Sequence, residues 1–292
     1  MVMAHMDQIG MTVRRIDENG FLRVSKVGGM FEPGVINQRV KVRSSEEGEI
    51  TGVVGMRPPH LDKGDDKRSI PEMKDLFVDI GAEDEEDAKD AGVRVGDYIH
   101  YDRNLEEMEN GMLTGPAFDD RVGCAVLIEA FNEYDGDVEF VAVFSVQEEV
   151  GTKGAKTSTF SVDPDVALAV DVGMAGDTPG IEPDESDDSI GDGVGIDLVQ
   201  AGGRGLIAPE SVRTWLLETS EKKDINYYRA LYDGGATDAA SIELQRDGIP
   251  TGSLGVPLRN MHSPIEVVSP EDMEQAVDLV VESAGTLHDY FE

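Results

Sequence analysis

The chain has 292 residues, with 60 acidic against 25 basic side chains and a formal charge of −35. That balance excludes nucleic-acid binding through a basic surface, because phosphate neutralisation needs a local Lys/Arg surplus, and it excludes docking on anionic membranes. With 39% apolar residues there is material for one large domain or two smaller ones, which excludes a disordered chain.

In chain order, residues 1–4 read as a strand with no lead-in element. Short β runs follow at 12–16, 21–27, 39–43, 50–56, 77–80 and 98–101, separated by Gly, Asn and Pro as in a small barrel or sandwich. A heavily acidic helix over about 83–91 interrupts them. From about residue 111 helices alternate with apolar strands: a helix at 120–134, a buried strand at 139–146, a strand at 166–170, helices at 211–222 and 237–245, a strand at 251–255 and a last helix at 270–288. That helix carries a start signal, with Ser269 as cap, Pro270 first, and Asp272 closing an S-x-x-D box. The alternation predicts an α/β fold for residues 1–10 and 111–292, a mostly parallel central sheet flanked by helices. Residues 11–110 form a β-rich insert.

Only 10 of the 25 cations are Lys. Few Lys beside many acids is the balance of a surface built for molar salt, where the Debye length falls to roughly 3 Å and self-repulsion is screened. Cys124 is the one cysteine, so the chain has no internal disulfide and suits a reducing cytoplasm. No run approaches the ~18 apolar residues of a membrane span, and the first five residues lack the regions of a signal peptide. The acidic stretch 182–192 reads as a solvated loop, because the spacing of a Ca²⁺ loop is absent. Gly191-x-Gly193-x-Gly195 and Gly202-Gly203-Arg204-Gly205 do not sit between a strand and a helix as a dinucleotide fingerprint would.

In open α/β sheets, sites form at the carboxyl ends of strands. Those ends carry His5-Met6-Asp7, Gln147-Glu148-Glu149, Asp171 and Met261-His262-Ser263, and Phe118-Asp119-Asp120-Arg121 stands just before a helix. Two His and several carboxylates at one rim suit Zn²⁺, Co²⁺ or Mn²⁺ rather than an all-oxygen Ca²⁺ site. Two metals sharing a bridging carboxylate need about five protein ligands, which these residues supply. Of two adjacent acids, one binds metal while its neighbour takes a proton from water. His5 and Asp7, two apart on a strand, share a face, so the carboxylate accepts the imidazole N–H and fixes its tautomer.

His5-Met6-Asp7-Gln8-Ile9-Gly10, Ala117-Phe118-Asp119-Asp120-Arg121-Val122-Gly123, Val146-Gln147-Glu148-Glu149-Val150-Gly151, the run from Asp171 to Gly180, and His262-Ser263-Pro264-x-Glu266 occur in that order. Together they resemble the tetrahedral (TET) aminopeptidase family, self-compartmentalising metallopeptidases with two metal ions, and the resemblance covers essentially the whole chain. It implies a zinc-exopeptidase-like catalytic domain with Asp119 bridging two divalent ions, Zn or Co. His5 and Asp171 would complete one shell, and Glu149 and His262 the other. Glu148 would be the general base and Asp7 the group orienting His5, and the peptide bond between Asp119 and Asp120 would be cis. The resemblance also implies short peptide substrates trimmed from their N-termini, an insert that serves as a dimerisation domain, and six dimers in a hollow dodecamer. Gly234-Gly235-Ala236-Thr237-Asp238 resembles a family loop near the substrate, in which Asp238 either positions the substrate or caps a helix. His60, in the insert, reads as structural.

The chain departs from the family at its start, where a helix and two strands are expected before the His-x-Asp strand; upstream in-frame sequence is expected to encode them. Two other functions fit parts of the pattern. Paired carboxylates without metal make a glycoside hydrolase, and relatives of the family have been labelled endoglucanases. A truncated remnant that assembles without activity is the other.

Overall fold

The computed structural model describes residues 1–44, 46, 48–58, 71–186 and 188–291. His60 and its expected structural role lie outside the described residues, as does Asp187 of the acidic loop. The chain divides into two units, Met1–Asp7 with Glu106–Met261 and Glu266–Glu292, and Gln8–Leu105 with His262–Ile265. The boundaries differ by a few residues from the expected 11–110. The short segment carrying His262 groups with the second unit instead of with 111–292.

Strand β1 (Val2–His5) opens the first unit. The second unit contributes β2 (Gly10–Ile16), β3 (Leu22–Val27), a short helix α1 (Glu32–Val35), β4 (Arg39–Ser44), β5 (Gly48–Met56), β6 (Leu76–Asp79), α2 (Glu85–Asp90) and β7 (Tyr98–Tyr101). The first unit resumes with β8 (Glu106–Glu107), β9 (Leu113–Gly115), α3 (Phe118–Glu133), β10 (Ala142–Ser145), α4 (Lys153–Val162), β11 (Ala167–Met174) and β12 (Val194–Val199). It ends with α5 (Glu210–Lys223), β13 (Tyr227–Leu231), α6 (Ala239–Ile242), β14 (Thr251–Arg259), β15 (Glu266–Val268) and α7 (Pro270–Thr286).

The second unit is a closed antiparallel barrel in the order β2-β3-β6-β5-β4-β7. Its alternating residues Met11 and Val13, Leu22 and Val24, Val40 and Val42 all point inward to one core. Closure removes the edges that short strands would otherwise expose. The acidic helix α2 is stable because its charges sit at its positive end: Asp84 caps it, accepting the Asp87 N–H at 2.9 Å, and Glu85, Glu86 and Asp87 fill the first turn.

The first unit is a nine-stranded sheet in the order β10-β1-β11-β14-β15-β9-β8, with β12 beside β14 and β13 beside β12. The strands β10, β1, β11 and β14 run parallel. Along β11, Leu168 and Val170 enter the core that includes α3, α5 and α7, while Ala167 and Ala169 enter a second core with residues of α4 and α6. A strand buried on both faces reads as a continuous apolar run, as β11 does. Side chains alternate between faces, so Asp171 continues the row of Ala167 and Ala169, and His5 continues that of Met3. Both therefore project on the α4/α6 side of the sheet.

Several elements differ from the sequence expectation. Residues 139–146 were expected to be a buried strand. The strand covers only Ala142–Ser145, and Ala142, Val143 and Phe144 are half-buried. The helix expected at 237–245 is the single turn Ala239–Ile242. The box expected at the start of α7 does not close: Ser269 caps the Glu271 N–H at 3.2 Å, but Asp272 turns away to accept Gly191 and Gly193 N–H groups at 2.8 and 3.0 Å. No helix among the described residues is long and apolar enough to cross a membrane.

Candidate functional site

In the first unit, His5 ends β1 and is 2% exposed. Its Nδ1 lies 3.1 Å from the backbone carbonyl of Asp7. A carbonyl only accepts, so Nδ1 carries a hydrogen. The Asp119 carboxylate beside Nε2 also only accepts, so without a metal Nε2 carries one too, and a bound cation would take that hydrogen's place. The expected partner was the Asp7 carboxylate. That carboxylate is 3.6 Å from Nδ1 and instead accepts the Glu148 backbone N–H at 3.0 Å. Around Nε2 stand Asp119 Oδ1 at 3.1 Å, and Glu148 Oε2 and Asp171 Oδ1 at 3.9 Å each.

Asp119 lies at the start of α3, and its peptide bond to Asp120 is cis. Two carboxylates with no assigned part in the sequence reading hold this turn. Glu266, 2% exposed, accepts the Phe118 and Asp119 N–H groups at 2.7 and 3.3 Å. Asp120, fully buried, accepts the His5 N–H at 3.0 Å and the Gly123 N–H at 2.8 Å. A helix start needs such acceptors because its first N–H groups have no intrahelical partner. Ala117 and Gln147, each one residue before these site segments, both adopt left-handed backbone with φ near 60°. For a residue with a Cβ this costs roughly 1–2 kcal/mol, and such residues concentrate at functional sites.

Asp119 is shared between two neighbours in this unit. Its oxygen, His5 Nε2 and an Asp171 oxygen lie within 4.8 Å of one another, and a Glu149 oxygen approaches Asp119 within the same limit. His262 belongs to the second unit. There its Nδ1 lies 3.0 Å from the Gly29 carbonyl, so it too carries hydrogen on Nδ1. A Cβ on Gly29 would sit 2.8 Å from the His262 ring. That glycine lets backbone and imidazole meet.

Burial alone would lower the His5 pKa, yet the carboxylates of Asp119 and Asp7 and the charges of Asp171 and Asp120 hold it well above the usual range. Burial raises Asp120 and Asp171, and neighbouring anions raise them further. Glu148 is pushed up to about 9, first by burial and then by Asp171, Asp238 and Glu149. Asp7 goes the other way: against burial, the nearby His5 ring and the bond from the Glu148 N–H hold it low. So many anions in one buried place create a strong field for a cation.

The donor set tests whether a divalent ion fits. One imidazole with its second nitrogen fixed by a carbonyl, and two buried carboxylates with ligand atoms within 4.8 Å, match the mixed N/O preference of Zn²⁺ or Co²⁺. The residues fit such an ion.

The family model described as M42 glutamyl aminopeptidase matches residues 1–279. Lysyl aminopeptidase of Pyrococcus furiosus is 33% identical over 287 residues, 96% of this chain and 79% of that protein. Among solved structures, aminopeptidase APDkam598 from the archaeon Desulfurococcus kamchatkensis superposes with a TM-score of 0.92 at 41% identity, covering 97% of this chain and 78% of that one. The Pyrococcus horikoshii TET1 peptidase, which can assemble into a tetrahedron or a large octahedral shell, has a TM-score of 0.85 at 32% identity, covering 97% and 82%.

Proposed function

The chain belongs to the M42 glutamyl aminopeptidase family and is an aminopeptidase, and from that premise we propose that it removes N-terminal residues from short peptides with the help of two divalent metal ions. The observation that carries this reading is the convergence of His5, Asp119 and Asp171 within 4.8 Å, with Glu148 3.9 Å from the same imidazole nitrogen. His5 and Asp171 would hold one ion, Glu149 and His262 the other, and Asp119 would serve both. When bound, Zn²⁺ or Co²⁺ supplies Lewis-acid polarisation of the scissile carbonyl and activates water at neutral pH.

The chain's own residues do the rest. Glu148, whose proton affinity is raised by burial and by Asp171, Asp238 and Glu149, takes the proton of the attacking water and passes it to the leaving amine. Asp7 fixes two partners at once: its carbonyl sets the His5 tautomer and its carboxylate holds the Glu148 backbone. Asp120 and Glu266 tie down the turn that delivers Asp119.

The barrel unit serves as the dimerisation module, and dimers assemble into a dodecamer like the shells of the related TET peptidase. The formal charge of −35 suits a salt-rich cytoplasm and disfavours nucleic-acid and membrane partners. A panel of aminoacyl-nitroanilides in high salt tests the reading: hydrolysis should vanish with chelator and return with Zn²⁺ or Co²⁺. Chelator-resistant release of sugar from cellulose would contradict it.

A further inference from the structure

Asp238 precedes α6 on the Gly234–Asp238 loop, where a carboxylate ordinarily caps the helix. Its side chain makes no cap bond. Thr237 Oγ1 takes that part, accepting the Ala239 N–H at 3.3 Å. One Asp238 oxygen accepts the Ser145 hydroxyl, while the other, Oδ1, is buried and has no hydrogen-bond partner among the described residues. The residue is 2% exposed.

Ser145 is the register partner of His5 across β10 and β1, so its hydroxyl draws Asp238 in beside the His5–Asp119–Asp171 cluster. The Asp238 charge acts on Glu148 and Asp171, and Asp238 in turn feels His5 and Asp7. A rigid frame holds the loop there. Gln200 Nε2 donates to Asp197 Oδ2 at 2.7 Å and to Thr237 Oγ1 at 3.2 Å, and Gln200 Oε1 accepts the Thr237 N–H at 3.3 Å. A half-satisfied carboxylate, buried among other carboxylates, opposes folding of the metal-free chain. Such a group is retained where a bound cation compensates it.

We propose that Asp238 is a positioning residue of the metal centre: an anion pinned by Ser145 beside His5 and Asp171 that tightens cation binding without ligating the ion. This rests on the two-metal reading above. Groups behind the ligands typically change metal affinity by about 10–100-fold.

The test is a Zn²⁺ titration against a competing fluorescent chelator, with thermal unfolding of the full chain in excess chelator. Asp238→Asn should bind Zn²⁺ at least about tenfold more weakly, yet unfold in chelator at the same or a higher temperature than wild type. Asp238→Glu, which keeps the charge, should restore most of the affinity. If Asp238→Asn fails to fold, Ser145→Ala, which unpins the anion, should weaken Zn²⁺ binding in its place. Unchanged affinity in a folded Asp238→Asn, or a lowered unfolding temperature in chelator, would overturn the proposal while leaving the two-metal reading intact. Absence of Zn²⁺ binding by wild type would overturn both.

Discussion

The backbone N–H of Glu148 donates to Oδ1 of Asp7 at 3.0 Å, across 141 residues of sequence. One aspartate thereby couples the proposed base to the His5 imidazole, whose Nδ1–H its own carbonyl accepts at 3.1 Å. Asp7→Asn keeps the shape and the carbonyl but weakens a charge-assisted bond. Turnover should fall about 10–100-fold with the unfolding temperature nearly unchanged. Steady-state kinetics beside a thermal melt check this, and wild-type kinetics would remove Asp7 from the account.

Gly123 sits in α3, where replacing an exposed glycine by alanine ordinarily stabilises by about 1 kcal/mol. Here the sign should invert. A Cβ at Gly123 would lie 2.3 Å from Asp120 Oδ1, forcing away the carboxylate that accepts both the His5 and the Gly123 N–H groups. Two buried donors would lose an acceptor, so Gly123→Ala should cost about 2–3 kcal/mol, read from urea-unfolding midpoints.

The acids on this sheet show what sequence could and could not reveal. His5 ends β1 and Glu148 follows the end of β10, positions that single out one of 5 histidines and one of 60 acidic residues without any fold in hand. Asp171, expected at a strand end, instead lies inside β11, which runs on to Met174. Asp120 and Glu266 act by accepting backbone N–H groups, and which N–H groups need an acceptor is known only once the chain has turned. The helix Lys153–Val162 was not foreseen because Ser and Thr crowd it. In the structure Ser158 and Ser161 bond back to carbonyls one turn earlier, at 2.7 and 3.1 Å, which satisfies their hydroxyls inside a helix. Strand β12 was hidden by glycine. A Cβ on Gly195 would meet the Tyr228 ring at 2.9 Å, so a residue that looks like loop is the floor for an aromatic side chain.

Asp197 should leave a signature in the pH dependence of stability. It is fully buried, and burial pushes its pKa up to about 6 against an ordinary 3.8, despite bonds from Ser253 and Gln200. Between those values the folded state holds a proton that the unfolded state has released, so this group's contribution falls as pH rises through that window. Asp197→Asn removes the group. Its stability relative to wild type should therefore rise by about 2 kcal/mol between pH 4.5 and 7, measured by denaturant midpoints at both values. A constant difference would contradict the burial of an ionisable Asp197.

Glu148→Gln is the most direct measurement on the two-metal aminopeptidase account. The substitution keeps the side chain's size and removes only its capacity to take a proton. With aminoacyl-nitroanilide turnover and metal content measured on one preparation, the account predicts a loss of about 10²–10⁴-fold in turnover while two divalent ions per chain remain bound. Turnover within a few-fold of wild type, or loss of metal together with activity, would contradict it.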